Sequence, residues 1–468
     1  MTEKQEKKGL DVSVRSFLTA TAVLLVLMML AYGLTFVVPG GEYPRIADEA
    51  GNLQIDTAGE FMSVQGGIPF WKWLLSPVLV LGSNGGGTLI AVIVFLLVVG
   101  GIFNALEKGG LMKYMLGRIV SRFGGAKYQL QAIIVLFFMS MGAFLGSFEE
   151  CVPMVPLVVA LAVSLGWDAL TGLGMSILAT GCGFASGVCN PFTVGLAQKV
   201  AGVPMFSGIW LRLAGFILIY GLLLAFLRRY CRRIEKAVAP ESAGSGEIDP
   251  AMNRGLRWFA GIFGLGIAAV LSSVVIPALQ SMTMVIVAVT FLAAGIAAVR
   301  AAGMPWKELG SLFISGLVSI FPAVFMILMA SSIKYTMEEA RILDTILHSA
   351  LSLAGGMSRW MVILFIYLLV LVMNFFISSG SAKVFLLMPL IVPLAEAFGI
   401  SAQLCVLAFA FGDGFSNAFY PTNPVLLISL GLGNVSYGKW AKWTLRFQLL
   451  NLALTGGILL LGLAAGYQ

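Results

Sequence analysis

Apolar residues in this chain form long runs that are separated by short polar segments. The longest runs, residues 17–39, 88–106, 209–227 and 445–463, have roughly the 20 residues that a helix needs to cross a bilayer. The alternating segments of about ten residues that build outer-membrane barrels are absent. Because backbone groups in lipid must be hydrogen-bonded within the protein, the pattern predicts an all-α polytopic membrane protein.

The distribution of charge indicates which segments face the cytoplasm. Hydrophobic residues make up 59% of the chain and charged residues 11%, and the formal net charge is +7. The basic residues cluster before the first run, within residues 108–127 and within residues 228–257, as the positive-inside rule expects of cytoplasmic segments. The excess charge therefore predicts a cytoplasmic N-terminus and contact with the lipid bilayer, with no nucleic-acid partner.

Two apolar blocks, residues 128–166 and 360–397, carry polar residues near their middle. Counting spans between the basic segments requires each block to return to the side from which it entered, so both are predicted to be re-entrant hairpins. Each is followed by a helix that Gly, Asn and Pro interrupt, at residues 168–199 and 401–432. The predicted organisation is a tail and first span (1–40), repeat one (69–228), a cytoplasmic linker (229–257), connecting spans (258–299) and repeat two (300–465).

The two predicted repeats share sequence as well as organisation. Residues 156–191 are matched 233 positions later by residues 389–424, with eleven identities in one ungapped register. Counting the spans from the cytoplasmic N-terminus makes hairpin one enter from the cytoplasm and hairpin two from outside, so the two repeats are predicted to have opposite topology. Two halves that carry an interrupted helix at equivalent positions are typical of a secondary transporter whose binding site lies between inverted repeats.

Each interrupted helix contains an Asn-Pro pair, formed by Asn190 and Pro191 in repeat one and by Asn423 and Pro424 in repeat two. An Asn side chain can cap a new helix while Pro occupies its first turn, so each pair predicts a helix that starts inside the membrane. Free N–H groups at such a start favour a carboxylate. The alternative is that the pairs merely stop and restart a bent helix.

The hairpin tips are predicted to add two further helix starts. Ser147 and Ser381 are expected at equivalent places, where the second arm of each hairpin begins. Four helix N-termini would then point into one cavity near the middle of the membrane. Unwound carbonyl groups beside them make a sodium site possible near Ser147, Gly181, Asn190, Ser381, Gly414 and Asn423.

Four ionisable residues, Glu149, Glu150, Lys383 and Asp413, fall deep within the predicted spans. Charged groups are costly there, so a functional role is the first hypothesis for each. The excess of acid predicts a substrate amine, a coupling cation or a transported proton. Two structural alternatives remain open, since a Glu can complement a helix dipole and Lys383 can be a permanent partner of Asp413. Neutral groups that would line the same site are Ser379, Asn417 and Thr422.

The sequence carries no signature of catalysis. The five cysteines lie in apolar segments without metal-ligand spacing, and HExxH, Walker A, GxSxG and dinucleotide motifs are absent. We therefore expect no enzyme and no cofactor, with Na⁺ or H⁺ as the coupling ion. Residues 108–123 and 335–351 are predicted to be surface helices, either arms that join a mobile part to a fixed one or simple interfacial anchors. His348, in the second of them, is expected to make interfacial or solvent contacts.

Several motifs make the chain similar to a known family. These are Gly-Ser-Phe-Glu-Glu at 146–150, the run from Gly181 to Thr193, Gly-Asp-Gly-Phe-Ser-Asn at 412–417 and Pro-Thr-Asn-Pro at 421–424. They resemble the YfcC-like branch of the DcuC family, within the ion transporter superfamily. That family groups anaerobic C4-dicarboxylate carriers with proposed basic amino acid antiporters.

The resemblance implies a homodimer in the bacterial cytoplasmic (inner) membrane that works by an elevator movement of its hairpin-bearing part. It places in the binding site Ser147, Glu149, Asn190, Ser381, Asp413 and Asn423. We expect a secondary active transporter of a small carboxylate-bearing metabolite, most simply a basic amino acid whose amine an acid accepts. The alternatives are a sodium- or proton-coupled C4-dicarboxylate transporter, which would use Lys383, and a passive ion channel.

Overall fold

A computed structural model describes residues 14–47, 53–56, 59–83, 86–146, 148–235, 249–272 and 283–468. Eight helices in these ranges are long and apolar enough to cross a membrane, and two shorter apolar helical stretches, Thr21–Val37 and Val285–Ala301, accompany them. The prediction of a helical polytopic membrane protein is confirmed. The predicted tip residue Ser147 lies outside the described residues, as does most of the predicted linker.

Five long helices pack into one group, which we call the scaffold group: Val14–Val37, Gly86–Lys108, Pro250–Ser272, Thr283–Ala301 and Trp306–Glu339. The last of these packs on the first two, and the third packs on the fourth. Small residues allow the closest approach, because a Cβ on Gly316 would lie 2.5 Å from the carbonyl oxygen of Gly100. Such contacts stabilise helix pairs in lipid, where burial of apolar surface gives no driving force.

Predicted repeat one contains an amphipathic helix, a helical hairpin, a broken helix and a long final helix, in that order. The amphipathic helix Leu111–Phe123 precedes hairpin one, whose first arm is Lys127–Ser140 with a π-helical end, Met141–Leu145, and whose second arm is the 3₁₀ turn Glu149–Met154 followed by Val155–Ser164. Broken helix one then comprises Ala169–Leu173, Gly174–Leu178, Ala179–Ser186, Pro191–Gly195 and Leu196–Val200. The helix Ile209–Ile234 ends the repeat, seven residues beyond the predicted end of its span.

Repeat two has the same order. Its elements are the helix Leu343–Ser352 with the 3₁₀ turn Leu353–Gly356, hairpin two (Arg359–Phe376 and Gly380–Ala397), broken helix two (Ala402–Gly414, Phe415–Ala418 and Pro424–Leu432) and the final helix Tyr437–Ala464. The membrane re-entry of the hairpins, like the domain boundaries, stays a prediction.

Both broken helices begin with a cap at the same position of the repeat. The Asp168 carboxylate accepts the backbone N–H of Thr171 at 3.0 Å, and the Ser401 hydroxyl accepts that of Leu404 at 3.1 Å. Each cap is also tied to the end of its repeat, because the Tyr230 hydroxyl donates to Asp168 and the Ser401 hydroxyl donates to the Tyr467 carbonyl. In broken helix one, 94% of the apolar span is buried, so this helix lies at the centre of the protein.

The segment between the first span and the next long helix contains short strands. Gly41–Glu42 pairs with Met62–Ser63, and Arg45–Ala47 pairs antiparallel with Leu53–Ile55. Strands of two or three residues carry too little alternation to be predicted from sequence. Two short helices, Phe70–Leu74 and Ser76–Leu79, follow them.

The strands hold the region where repeat two begins. Arg45 forms a 3.0 Å ion pair with Asp344, and the Tyr43 N–H donates to the same carboxylate. Burial and the nearby Asp344 charge raise the pKa of Tyr43, whose hydroxyl lies 2.8 Å from Nδ1 of the exposed His348. The predicted surface helix 335–351 is in fact divided into two helices. The long scaffold helix continues to Glu339, and the left-handed backbone of Arg341 (φ 55°) separates it from the next helix, which begins at Leu343.

Candidate functional site

The two broken helices cross each other through glycine contacts. A Cβ on Gly414 would lie 2.0 Å from the Ala185 Cα, and a Cβ on Gly181 would lie 2.9 Å from the Ala418 Cβ. Gly181 and Gly414 are equivalent in the repeat, and so are Ala185 and Ala418. The repeat therefore relates each of the two contacts to the other. The step from Gly181 to Ala185 along one helix faces the step from Ala418 back to Gly414 along the other. The helices therefore run antiparallel where they cross.

Asn190 caps the restarted part of broken helix one, as predicted. Its Oδ1 accepts the N–H groups of Phe192 at 2.9 Å and Thr193 at 3.3 Å, and Pro191 occupies the first helical position. The side chain is fully buried, and neither its Nδ2 nor the Thr193 hydroxyl has a hydrogen-bond partner. This break (residues 187–190, break one) therefore presents unpaired polar groups inside the protein.

The tip of hairpin one lies against this break. A Cβ on Gly146 would be 2.3 Å from the Asn190 Oδ1, and the Cys189 N–H donates to the Ala143 carbonyl at 3.0 Å. Only a glycine can occupy position 146, because its φ of 69° is left-handed and the cap leaves no room for a side chain. The tip and break one thus form one unit.

Asn423 caps broken helix two in the same way. Its Oδ1 accepts the N–H groups of Val425 at 2.9 Å and Leu426 at 3.4 Å. Here the Nδ2 is engaged, since it donates to the Asn417 Oδ1 at 3.0 Å. The neighbouring Thr422 hydroxyl is buried without a partner. The break in broken helix two (residues 419–423, break two) therefore has more of its polar groups hydrogen-bonded than break one.

Lys383 and Asp413 form an ion pair in the interior, with 2.5 Å between Nζ and Oδ1 and no exposure of Lys383. The ammonium group also donates to the Asn374 side chain and, at 2.7 Å, to the Ile377 carbonyl. The ammonium group thus has three acceptor groups around it, two of them hydrogen-bonded and the third in an ion pair. The geometry corresponds to the permanent partnership that the sequence left open as an alternative.

Asn374, at the end of the first arm of hairpin two, was not predicted as a site residue. Its Nδ2 lies 2.9 Å from the Asp413 carbonyl, 2.6 Å from the Ser416 hydroxyl and 3.1 Å from the Asn417 Oδ1. The signal that would have found it is a lone amide in an apolar run, which is rare in a membrane helix unless it is bonded. Asn374 joins hairpin two to broken helix two.

The cap of hairpin two is Ser379. The second arm begins at Gly380, and the exposed Ser379 hydroxyl accepts the N–H of Ala382 at 3.5 Å, while Ser381 lies within the helix. A Cβ on Gly380 would be 2.8 Å from the Thr193 Cγ2 and 3.0 Å from the Asp413 Oδ2, so this tip lies between the two broken helices. Hairpin one differs, since Phe148 precedes its second arm and gives no side-chain cap.

The two adjacent acids of hairpin one have different surroundings. Glu149 is half-buried and lies within electrostatic range of Asp413. Glu150 is buried and lines a crevice with Phe263, Val287 and Thr290 of the scaffold group. The structure therefore brings Glu149 towards the ion pair and directs Glu150 towards the scaffold group.

The predicted sodium site near Gly181 and Gly414 stays a prediction. The Asp413 carbonyl accepts from both Asn374 and Asn417, which uses its two lone pairs, and the Gly412 carbonyl accepts from Ser416. In the described part of the chain, no group of three or more His, Cys, Asp or Glu side chains is placed to hold a metal ion. These carbonyls are hydrogen-bonded within the protein.

A second residue that the sequence did not single out is Arg212, near the start of the helix Ile209–Ile234. It is fully buried, and its guanidinium donates to the Val188 carbonyl at 3.2 Å and the Ser207 carbonyl at 2.6 Å. Val188 lies in break one, two residues before Asn190. An arginine inside an apolar run was the available signal.

Comparison with known proteins finds relatives along nearly the whole chain. The family model described as DcuC, C4-dicarboxylate anaerobic carrier, matches residues 18–464. YfcC of Escherichia coli (strain K12), provisionally named a basic amino acid antiporter, is 30% identical over 385 residues, which are 76% of this chain and 74% of YfcC. An uncharacterised protein of Haemophilus influenzae is 24% identical over 95% of this chain and 96% of its own length.

Two solved structures match over most of this chain. The YdaH transporter of Alcanivorax borkumensis gives a TM-score of 0.48 at 17% identity, over 96% of this chain and 99% of its own. MtrF of Neisseria gonorrhoeae gives a TM-score of 0.46 at 16% identity, over 95% of each chain.

Proposed function

The chain belongs to the DcuC family of membrane transporters, and we propose that it is a secondary active carrier of a basic amino acid. The observation that supports a basic amino acid is that the Lys383 ammonium group already has partners within the protein. This group is buried against three acceptor groups, those of Asp413, Asn374 and Ile377, so it is already engaged and is not presented to a substrate carboxylate. The remaining charge at the tip of hairpin one is acidic and suits an amine.

Glu149 is the residue that we propose for the amine. It is half-buried and next to a carboxylate that Lys383 already neutralises. An unpaired carboxylate in a site of low dielectric attracts an ammonium group strongly, because little water screens the two charges. A basic amino acid offers two such groups.

The substrate carboxylate is proposed to bind at break one. Asn190 there starts a helical segment whose N–H groups carry partial positive charge, and its own Nδ2 and the Thr193 hydroxyl are buried without partners. Buried polar groups without partners are uncommon and are costly unless something binds them. A carboxylate would accept hydrogen bonds from both.

We further propose that the two halves are inverted repeats that move as an elevator in a homodimer of the bacterial cytoplasmic membrane. The reciprocal contacts of Gly181 with Ala418 and of Gly414 with Ala185 support a two-fold relation between the halves. The antiparallel crossing supports opposite topology. Because the hairpin tips contact the broken helices, these elements would move together past the scaffold group.

The second candidate is a C4-dicarboxylate, which the description of the family model favours. Such a substrate would need a cation in addition to the helix ends, and sodium or protons would have to neutralise Glu149. Lys383 could serve only if Asp413 were protonated. The two candidates therefore differ in what Lys383 does.

Counterflow in proteoliposomes tests the proposal. Vesicles are preloaded with unlabelled arginine, ornithine or succinate, and uptake of the labelled compound is followed with and without a sodium or pH gradient. Saturable counterflow of arginine or ornithine, and its loss in Glu149→Gln, is the expected result. Counterflow of succinate alone would establish the dicarboxylate carrier, and flux without saturation or counterflow would indicate a channel.

A further inference from the structure

Arg212 is a buried cation that the hydrogen-bond network of the site does not neutralise. Its side chain has no exposure, and one of its terminal nitrogens, Nη1, has no hydrogen-bond partner. Among the residues that the structure describes, no carboxylate lies within 4 Å of the guanidinium, whereas Lys383 is paired with Asp413. An unpaired charge in the interior is costly, so such an arginine calls for an anion.

The surroundings of Arg212 have a surplus of donors. The Ser207 carbonyl accepts from Arg212 and also from the side-chain amides of Gln198 and Gln403. A carbonyl oxygen has two lone pairs, so three donors compete for it. With the free Nη1 of Arg212 and the free Nδ2 of Asn190, the region around break one has more donors than acceptors.

The position of Arg212 connects it to break one. Its Nε donates to the Val188 carbonyl, and the guanidinium lies within electrostatic range of Cys189. Asn190 follows directly and caps a helical segment that continues to Val200. The cation and the helix start therefore lie on the same short segment of chain.

We propose that Arg212 is the fixed cation that binds the substrate's carboxylate, together with the unpaired groups of Asn190 and Thr193. The inference rests on the proposed function and adds to it a specificity-determining residue. An α-carboxylate would supply the missing acceptors and would neutralise the arginine. Glu149 and Arg212 then give the site one group for each end of an amino acid.

A structural role is the competing explanation. Helix Ala179–Ser186 ends just before Val188, and an arginine that donates to a carbonyl near such an end can stabilise the end without any ligand. That role needs hydrogen-bond donors close to Val188 and Ser207. It does not depend on which substrate is transported.

A pair of substrates separates the two explanations. Arginine and agmatine differ only in the carboxylate, so each is tested for counterflow in the wild type and in Arg212→Gln, which keeps an amide donor and loses the charge. We expect the KM for arginine to rise about 10- to 100-fold, in line with the loss of a charged hydrogen bond, while the KM for agmatine is unchanged. Arg229→Gln, on an exposed residue of the same helix, is the matched control and should alter neither value.

Three results would overturn the inference: equal losses for arginine and agmatine, unchanged KM values for both, or full preference for arginine in Arg212→Gln. If Arg212→Gln does not fold, as judged by its thermal unfolding, Arg212→Lys replaces it and should keep the preference for arginine at reduced affinity. If wild-type protein transports only succinate, the proposed function fails, but a raised KM for succinate in Arg212→Gln would still uphold the carboxylate site. An unchanged KM for succinate would refute that as well.

Discussion

The ion pair of Lys383 and Asp413 gives a prediction that separates structure from substrate binding. Both side chains are fully buried and their charged atoms are 2.5 Å apart. Removing one partner leaves the other charge uncompensated, which costs about 3–5 kcal/mol. Since about 1.4 kcal/mol is a factor of ten, Lys383→Gln or Asp413→Asn should lower the folded-to-unfolded ratio roughly 100-fold or more.

The double variant Lys383→Gln with Asp413→Asn should recover most of this loss. Both charges are then gone, and the glutamine amide can still donate to the Asn374 side chain or the Ile377 carbonyl, which accept from Lys383 in the wild type. We expect the double variant to lie within about 1–2 kcal/mol of the wild type. Since the two single losses sum to about 6–10 kcal/mol, the coupling energy should be about 4–9 kcal/mol.

Thermal unfolding in detergent and arginine counterflow in proteoliposomes measure the two effects. A structural pair predicts that the double variant regains both stability and counterflow. Restored stability without counterflow would refute the reasoning, because Lys383 or Asp413 would then bind substrate directly. Additive losses in the double variant would refute it as well, since they would mean that the two side chains do not interact.

Three further predictions follow from single contacts. Asn190→Ser keeps a neutral cap acceptor and loses the unpaired amide donor, so the free energy of unfolding should fall by no more than about 1 kcal/mol while counterflow falls; normal counterflow would exclude Asn190 from the site. Gly414→Ala places a Cβ 2.0 Å from the Ala185 Cα and should destabilise the protein by at least about 1–3 kcal/mol in thermal unfolding. Gly457→Ala, at a glycine with open space around it, is the control and should not destabilise it; equal melting temperatures of the two variants would contradict the helix crossing. Asp344→Asn should weaken the ion pair at the strands and increase amide hydrogen exchange in Leu53–Ile55, and unchanged protection there would mean that the pair contributes nothing.

Features with a local cause could be predicted from the sequence. The spans follow from apolar runs, and the caps at Asn190 and Asn423 follow from the preference of Asn-Pro for helix starts. Ser381 lies close to the start of the second arm of hairpin two, as expected, but the sequence did not single out Ser379 as the cap, because the choice among neighbouring serines depends on the residue at which the helix begins. That residue is set by Gly380, which fits between Thr193 and Asp413.

Features that depend on distant partners could not be predicted. Asn374 and Asp413 are far apart in sequence, and nothing local to Asn374 indicates which helix it will bond. The same holds for Arg212, whose partners lie in break one and in the segment before its own helix. For Lys383, the sequence left two roles open, and only the positions of its three acceptors favour one.

Thiol labelling tests most directly whether substrate binds at the centre of the broken helices. Cys189 lies next to Asn190 and is half-buried, while the other four cysteines are buried, so a small thiol reagent should react at this position in the unmodified protein. The account predicts that arginine slows the labelling of Cys189 in a saturable manner, and that agmatine slows it less. Labelling at an unchanged rate in the presence of every transported substrate would contradict a site at break one.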